Sequence, residues 1–227
     1  MTGGRGGSPE EQRPGLGETI AYLGRGHADV GLGEGEVAAD PAEQFASWMH
    51  AALDAGLILP NSMTLATATK DGVPSARIVL LKGFDEEGFV FYTNHASRKG
   101  RELAENPRAA LVWHWAELER QVRAAGPVEA VSRQEAEAYW RSRPVGSRLG
   151  AWASRQSEVI ASRSELDRRL AEAEAELGGD PPLPPFWGGY RLTPDEVEFW
   201  QGRRNRLHDR LRYRRAGGGW VVERLAP

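Results

Sequence analysis

The sequence predicts a mainly β fold with inserted helices, built as an antiparallel sheet or barrel. Three observations carry this. Short strand-like segments follow one another, separated by tight turns such as Asp71-Gly72 and Asp85-Glu86-Glu87-Gly88. Helical spacing is confined to a few stretches that open on capping residues. A β-α-β rhythm and a G-x-G-x-x-G string are both missing, which argues against a doubly wound nucleotide fold.

Taken in order, residues 1–35 hold eleven of the 27 glycines and almost no periodic apolar pattern. They read as a largely disordered tail with a short ordered patch at 19–23, and residues 36–227 as the single folded domain. Order begins at Asp40 as a cap, Pro41 in the first turn and Glu43 completing a capping box. Phe45, Trp48, Met49, Ala52 and Leu53 recur at helical spacing, and Gly56 ends the helix. Residues 63–69 and 76–82 read as a hairpin, followed by a strand at 89–93. A short helix at 97–105 stops at Asn106-Pro107, and strands follow at 109–115 and 121–131. Ser132 with Glu135, and Ser162 with Glu165, open two further helices. The prolines of 180–185 stiffen a connector. Three strands then close the chain, at 187–192, 207–214 and 219–224.

Composition narrows the function. Hydrophobic residues make up 40%, enough for a real core, and the net charge of −3 does not suit a general nucleic-acid binder. Cysteine is absent, which removes disulfides, thiolate nucleophiles and thiolate metal sites and fits a cytoplasmic setting. The N-terminus lacks the apolar core of a secretory signal. The longest aliphatic run, Ile78-Val79-Leu80-Leu81, is far too short to span a bilayer. Eight tryptophans are many for this length. Core and interface filling is their simplest role, and a flat-ring cofactor or a large subunit interface the sharper one.

The segment Arg206-Leu207-His208-Asp209-Arg210 stands out chemically. If it is extended, Arg206, His208 and Arg210 share one face, and Leu207 and Leu211 point into a core. Two fixed positive charges beside an imidazole call for an anionic or electron-rich partner, and they favour the neutral ring, which can accept or relay a proton. Other basic groups lie beside strands. Arg77 and Lys82 are five apart, so one site can use both only if Lys82 sits at a strand end or bulge. Ser97-Arg98-Lys99 at a helix start offers free N–H groups, a hydroxyl and two cations to a phosphate; a solvated first turn is the plainer reading. Arg143 offers a planar fork, near Tyr139 and Ser147. Gln156-Ser157 adds an amide and a hydroxyl. No histidine pair has metal-ligand spacing, and no carboxylate pair or G-x-S-x-G suggests hydrolysis.

At these residues the chain resembles the pyridoxamine 5′-phosphate oxidase family, which uses flavin mononucleotide (FMN). The matching strings run in order from Arg77-Ile78-Val79-Leu80-Leu81-Lys82 through Phe91-Tyr92-Thr93-Asn94, Ser97-Arg98-Lys99 and Glu119-Arg120-Gln121-Val122. They continue with Ser142-Arg143-Pro144, Gln156-Ser157, Phe186-Trp187-Gly188-Gly189 and Phe199-Trp200-Gln201-Gly202. They end with Arg206-Leu207-His208-Asp209-Arg210 and Arg224-Leu225-Ala226-Pro227. Each string is weak alone; the ordered set over 40–227 is specific.

The resemblance implies a split β-barrel homodimer with FMN across the subunit interface. It implies cofactor contacts from Arg77, Ile78, Val79, Leu80, Leu81 and Lys82, from Tyr92, Thr93, Arg98, Lys99 and Gln121, and from Gln156, Ser157, Trp200 and Arg210. It gives the phosphate of a vitamin B6 substrate to Lys82, Tyr139, Arg143 and Ser147, with Arg206, Leu207 and His208 also on the substrate and Arg206 and His208 beside the reacting carbon. The implied reaction oxidises pyridoxamine or pyridoxine 5′-phosphate to pyridoxal 5′-phosphate, with dioxygen as acceptor, giving hydrogen peroxide and, from the amine, ammonia. Two alternatives stand beside it: a related flavin oxidase of the phenazine type acting on another substrate, and a non-catalytic FMN- or pyridoxal-phosphate-binding protein. The family commonly carries Arg-x-x-Tyr near the N-terminus as a lid. Here Thr19 stands at the Arg position and Tyr22 is kept.

Overall fold

The computed structural model describes residues 30–227, so the patch at 19–23, with Thr19 and Tyr22, lies outside the described residues. Helix α1 (Pro41–Asp54) begins where the Asp40 side chain accepts the Ala42 N–H at 2.7 Å, with Pro41 at the first position. Strands β1 (Ser62–Ala68) and β2 (Pro74–Leu80) form the expected hairpin, with Met63 opposite Val79 and Thr67 opposite Ser75. Next come β3 (Gly83–Asp85), β4 (Gly88–Asn94), α2 (Arg98–Glu105), β5 (Arg108–Trp115) and β6 (Arg120–Ala130). Three helices follow: α3 (Arg133–Ser142), α4 (Val145–Ala153) and α5 (Arg163–Leu177). Four strands complete the chain: β7 (Trp187–Leu192), β8 (Glu196–Gln201), β9 (Asp209–Ala216) and β10 (Gly219–Arg224).

Every strand pair is antiparallel. The main run is β10-β9-β8-β6-β5-β1-β2, and β7, β4 and β3 curl away from it. The branch point is β6. Its residues 120–125 pair with β8, and its residues 128–130 pair with β7. Between them the backbone of the β7–β8 connection closes in: the Thr193 N–H donates to Pro127 O at 3.0 Å and the Asp195 N–H to Ala125 O at 2.8 Å. A Cβ at Gly126 would lie 2.0 Å from Thr193 O, so only glycine fits there. The Lys82 N–H donates to Val90 O at 2.9 Å, which ties the end of β2 to β4. The result is the split antiparallel barrel with inserted helices that the sequence led us to expect.

Helix α1 plugs the barrel. Phe45 is fully buried and meets Phe84, Phe89 and Trp113 edge-on at 4.8–5.1 Å. Trp48 meets Phe199 of β8 at 5.2 Å. Most of the tryptophans thus fill the interior, as the simplest reading held: Trp48, Trp113, Trp115, Trp140 and Trp187 are buried. Among the described residues no helix is long and apolar enough to cross a membrane.

The structure corrects the C-terminal part in two places. Four strands follow the proline connector, since β8 lies between the first two of the three expected. The segment 204–208 is not strand. Asn205 and Arg206 both take the left-handed backbone conformation, at φ 59° and 60°, and make a single 3₁₀ turn, so β9 starts only at Asp209. Leu207 is consequently 70% exposed rather than core, whereas Leu211 is fully buried as expected. Near the N-terminal side, Leu32 is buried, its N–H donates to Asp209 at 3.0 Å, and Arg224 donates to its carbonyl at 2.9 Å. The stretch 32–36 therefore packs on the body, although the sequence alone puts the domain boundary after residue 35.

Candidate active site

The basic residues singled out in the sequence gather into three groups. The first surrounds a recess of 440 Å³ lined by Ser75, Arg77, Arg98, Lys99, Gln156 and Ser157, together with Ile78, Val79 and Thr93. Ser97 caps α2 by accepting the Gly100 N–H, so the helix start faces this recess with its free donors. The Arg98 N–H donates to Ser157 Oγ at 3.1 Å, and Ser157 holds a left-handed backbone at φ 77° to present that oxygen. Lys99 is buried. Its Nζ donates to Gln156 Oε1 at 2.9 Å and to Thr93 Oγ1 at 3.1 Å. Burial and the nearby Arg77 charge pull its pKa down to about 8, against the pull of Glu102.

Behind this recess sits a residue the sequence did not flag. Glu102 is buried, and its carboxylate accepts from Thr67 Oγ1 at 2.5 Å, Ser75 Oγ at 2.6 Å, Arg98 Nε at 2.8 Å and Arg77 Nη2 at 3.3 Å. Its pKa falls to about 2: burial acts to raise it, and these hydrogen bonds together outweigh burial. A Glu four residues after Arg98 on a helix was the one available clue.

The second group adjoins the first across Thr93 and Gln156. A recess of 280 Å³ is lined by Thr93, Asn94, Arg143, Ser147, Gln156 and Trp187, among others. Arg143 follows the last turn of α3 and Ser147 lies in the first turn of α4. The Arg143 guanidinium packs over Trp187 at 4.7 Å and Trp140 at 5.0 Å, and its Nη2 donates to Ser147 O at 2.9 Å. Its Nη1 is buried without a hydrogen-bond partner among the described residues. A buried, unpaired cationic donor on a residue that lines a recess is costly unless a ligand meets it. Tyr139 stacks on Tyr92 at 4.0 Å, Trp187 lies parallel to both, and Lys82 Nζ is 5.8 Å from the Tyr139 ring. Burial, Glu135 and Tyr139 push Tyr92 up to about 12, so its phenol stays protonated. Lys82 falls in the gap between β2 and β3, which meets the strand-end condition that lets it share a site with Arg77.

The third group lies on the far strands. Gln121 of β6, Trp200 of β8 and Arg210 of β9 stand directly opposite one another, so they share one face. The His208 ring lies 4.5 Å from Trp200, and its Nδ1 accepts the Arg203 N–H at 3.0 Å, which leaves the ring proton on Nε2. Arg210 is gripped by buried Glu198, at 2.8 and 3.1 Å, and holds Ala226 O at 2.8 Å. Asp209 pairs with Arg224 at 2.6 Å and Arg203 at 3.5 Å and accepts the Leu32 N–H at 3.0 Å, and is a structural tie. Two strands, β5 and β1, separate the nearest strand of this group, β6, from β2 and Arg77 in the sheet.

Some expected cofactor contacts are not in either recess. The Leu81 side chain is in the core, and its backbone N–H and C=O are both taken by Asn61. Leu80 does not line the first recess with its neighbours Ile78 and Val79.

Comparison with known proteins matches this layout. The family model described as pyridoxamine 5′-phosphate oxidase covers residues 49–176, and the model for the pyridoxine 5′-phosphate oxidase C-terminal dimerisation region covers 187–227. A pyridoxine/pyridoxamine 5′-phosphate oxidase of Rubrobacter xylanophilus is 59% identical, over 92% of this chain and 96% of its own. One from Thermosynechococcus vestitus is also 59% identical, over 92% and 99%. Among solved structures, PhzG from Burkholderia lata, in complex with tetrahydrophenazine-1-carboxylic acid, superposes with a TM-score of 0.84 at 36% identity, over 89% of this chain and all of its own. An FMN-binding protein of Nostoc punctiforme, at TM-score 0.65 and 22% identity over 80% of this chain and 96% of its own, shares the fold.

Proposed function

We propose a reaction from one premise: this chain belongs to the pyridoxamine 5′-phosphate oxidase family. It oxidises pyridoxamine 5′-phosphate and pyridoxine 5′-phosphate to pyridoxal 5′-phosphate, with FMN as cofactor. The observation that carries this reading is the pair of cationic recesses sharing Thr93 and Gln156. One recess suits the phosphate of a cofactor and the other the phosphate of a substrate, with stacked aromatic rings beside them.

The residues present fit FMN. Arg77, Arg98, Lys99 and Ser157 would hold its phosphate, by charge-assisted hydrogen bonds worth on the order of 1.5–3 kcal/mol each. Gln121, Trp200 and Arg210 would meet its other end. Bound FMN supplies the hydride acceptor and passes the electrons to dioxygen, releasing hydrogen peroxide. The chain supplies position and polarity. Lys82, Tyr139, Arg143 and Ser147 would anchor the substrate phosphate, the Arg143 Nη1 gaining the partner it lacks. That anchor holds the reacting carbon in place and makes the encounter effectively unimolecular. Arg206 and His208 would flank that carbon, with His208 handling a proton of the reacting group. Because four strands, β8, β6, β5 and β1, lie between β9, which His208 precedes, and β2, which carries Arg77, the complete site takes Arg206 and His208 of the partner subunit. The homodimer is thus part of the active site.

Anaerobic titration of the FMN-loaded protein with each phosphorylated vitamer tests the reaction. Flavin absorbance near its visible maximum should bleach with both. If neither bleaches it, the reading fails. The neighbour PhzG raises a second reading, a flavin oxidase of a non-phosphorylated ring. Lys82, Arg143 and Ser147 would have no ligand in that case. Unphosphorylated pyridoxine should therefore bleach the flavin far more weakly than its phosphate.

A further inference from the structure

We infer that Glu102 is a positioning residue for the flavin phosphate: its buried carboxylate aims Arg77 and Arg98 into the recess, against its own charge. This rests on the FMN reading above. The hydrogen bonds around it form a closed ring. Thr67 and Ser75 each donate a hydroxyl proton to Glu102, at 2.5 and 2.6 Å. Each in turn accepts from Arg77, Thr67 from Nη1 at 2.5 Å and Ser75 from Nη2. Leu65 O takes Nη1 as well, at 3.2 Å. The Arg77 fork is therefore fixed at both ends by one carboxylate, its two hydroxyl relays and Leu65 O, which turns the guanidinium so that its Nε is the donor left for a ligand. Arg98 is fixed through Nε alone, at 2.8 Å, which leaves both its Nη groups for a ligand. Without Glu102, Arg77, Arg98 and Lys99 would repel one another around an empty recess and splay into solvent.

The sign of the effect separates positioning from simple charge balance. A carboxylate beside a phosphate dianion repels it, so a group that only neutralises the arginines would weaken FMN binding, and its removal would tighten it. A group that aims them has the opposite effect. Glu102→Gln keeps the shape but offers an NH₂ where donors already point, so the ring loses an acceptor on one side.

The test is titration of FMN-free protein with FMN, followed by quenching of flavin fluorescence. Wild-type protein must bind first; if it does not, the FMN reading fails and not the role of Glu102. The expectation for Glu102→Gln is a Kd raised at least about tenfold, the size of one lost charge-assisted hydrogen bond. At saturating FMN, its KM for pyridoxine 5′-phosphate should stay at the wild-type value, a split that general loss of structure would not produce. Glu102→Asp retains the charge but retracts it by a methylene, and should lose FMN affinity as well. Glu105→Gln, on the exposed side of the same helix, should change nothing. If Glu102→Gln does not fold, Ser75→Ala breaks one relay of the ring and should raise the Kd about threefold or more. Unchanged or tighter FMN binding, in Glu102→Gln or in Ser75→Ala as its replacement, overturns the inference.

Discussion

Lys99 shows how much a single residue's surroundings decide. It is a buried ammonium with three neutral oxygen partners, Gln156, Thr93 and Ser97, and Arg77 nearby. Its pKa of about 8, against 10.5 in the unfolded chain, sets two opposite pH trends. In the window between these values the unfolded chain holds the proton and the folded FMN-free protein does not. Rising pH therefore adds stability to the FMN-free protein through this group. FMN binding runs the other way. A phosphate dianion needs the ammonium, so above about pH 8 each binding event must take up a proton, and affinity should fall by up to about tenfold per pH unit. Fluorescence titrations from pH 7 to 10 check this, with Lys99→Arg flattening the profile. An FMN affinity constant across that range would remove Lys99 from the phosphate site.

At the scale of elements, β6 decides the architecture, and Gly126 decides β6. A side chain there would meet Thr193 O at 2.0 Å, with backbone on both sides and nothing flexible to yield. Gly126→Ala should cost about 3 kcal/mol, at the upper end of overpacking, visible as a lower midpoint in chemical denaturation at unchanged slope. A wild-type midpoint would mean that the two sheets do not depend on this close approach. The hairpin β1–β2 and the cap of α1 were legible in the sequence because both are local: Asp71-Gly72 makes one and Asp40-Pro41 the other. Strand β8 was not, although Glu196-Val197-Glu198-Phe199-Trp200-Gln201 alternates. Its Glu198 is buried, and its charge is met by Arg210 on β9 and Arg123 on β6, partners that no local pattern reveals. Helix α4 hides for a similar reason, since Arg148 is buried against Asp180 and Pro181 of a distant connector. The turn at 204–208 left one trace, Asn205, a residue type that tolerates the left-handed conformation better than most. The same division runs through the site. Arg77, Arg98, Lys99 and Arg143 were readable as cations beside strands and helix ends. Glu102, which holds Arg77 and Arg98, and Glu198, which holds Arg210, were not.

The whole molecule poses a question that neither half of the chain answers. Within one subunit, Arg77 on β2 and Trp200 on β8 lie on strands four steps apart, roughly 19 Å at about 4.8 Å per step around a curved sheet. The matched dimerisation region, residues 187–227, contains Trp200, Arg206, His208 and Arg210. If the site is shared, damage to the two groups is complementary. Arg143→Ala should weaken turnover at low substrate by about 10²-fold through lost phosphate anchoring, and His208→Asn by a similar factor through the proton it handles. Co-expressed with distinct affinity tags, the two variants should form heterodimers as about half of all dimers. In a heterodimer with shared sites, one site carries both lesions and the other carries neither. The mixture should then recover about a quarter of wild-type activity, and the doubly tagged heterodimer about half. If each subunit built its own site, both sites of the heterodimer would carry one lesion, and activity would stay at the level of the parents. FMN content measured on the same preparations keeps the comparison clean, because neither substitution touches Arg77, Arg98 or Lys99.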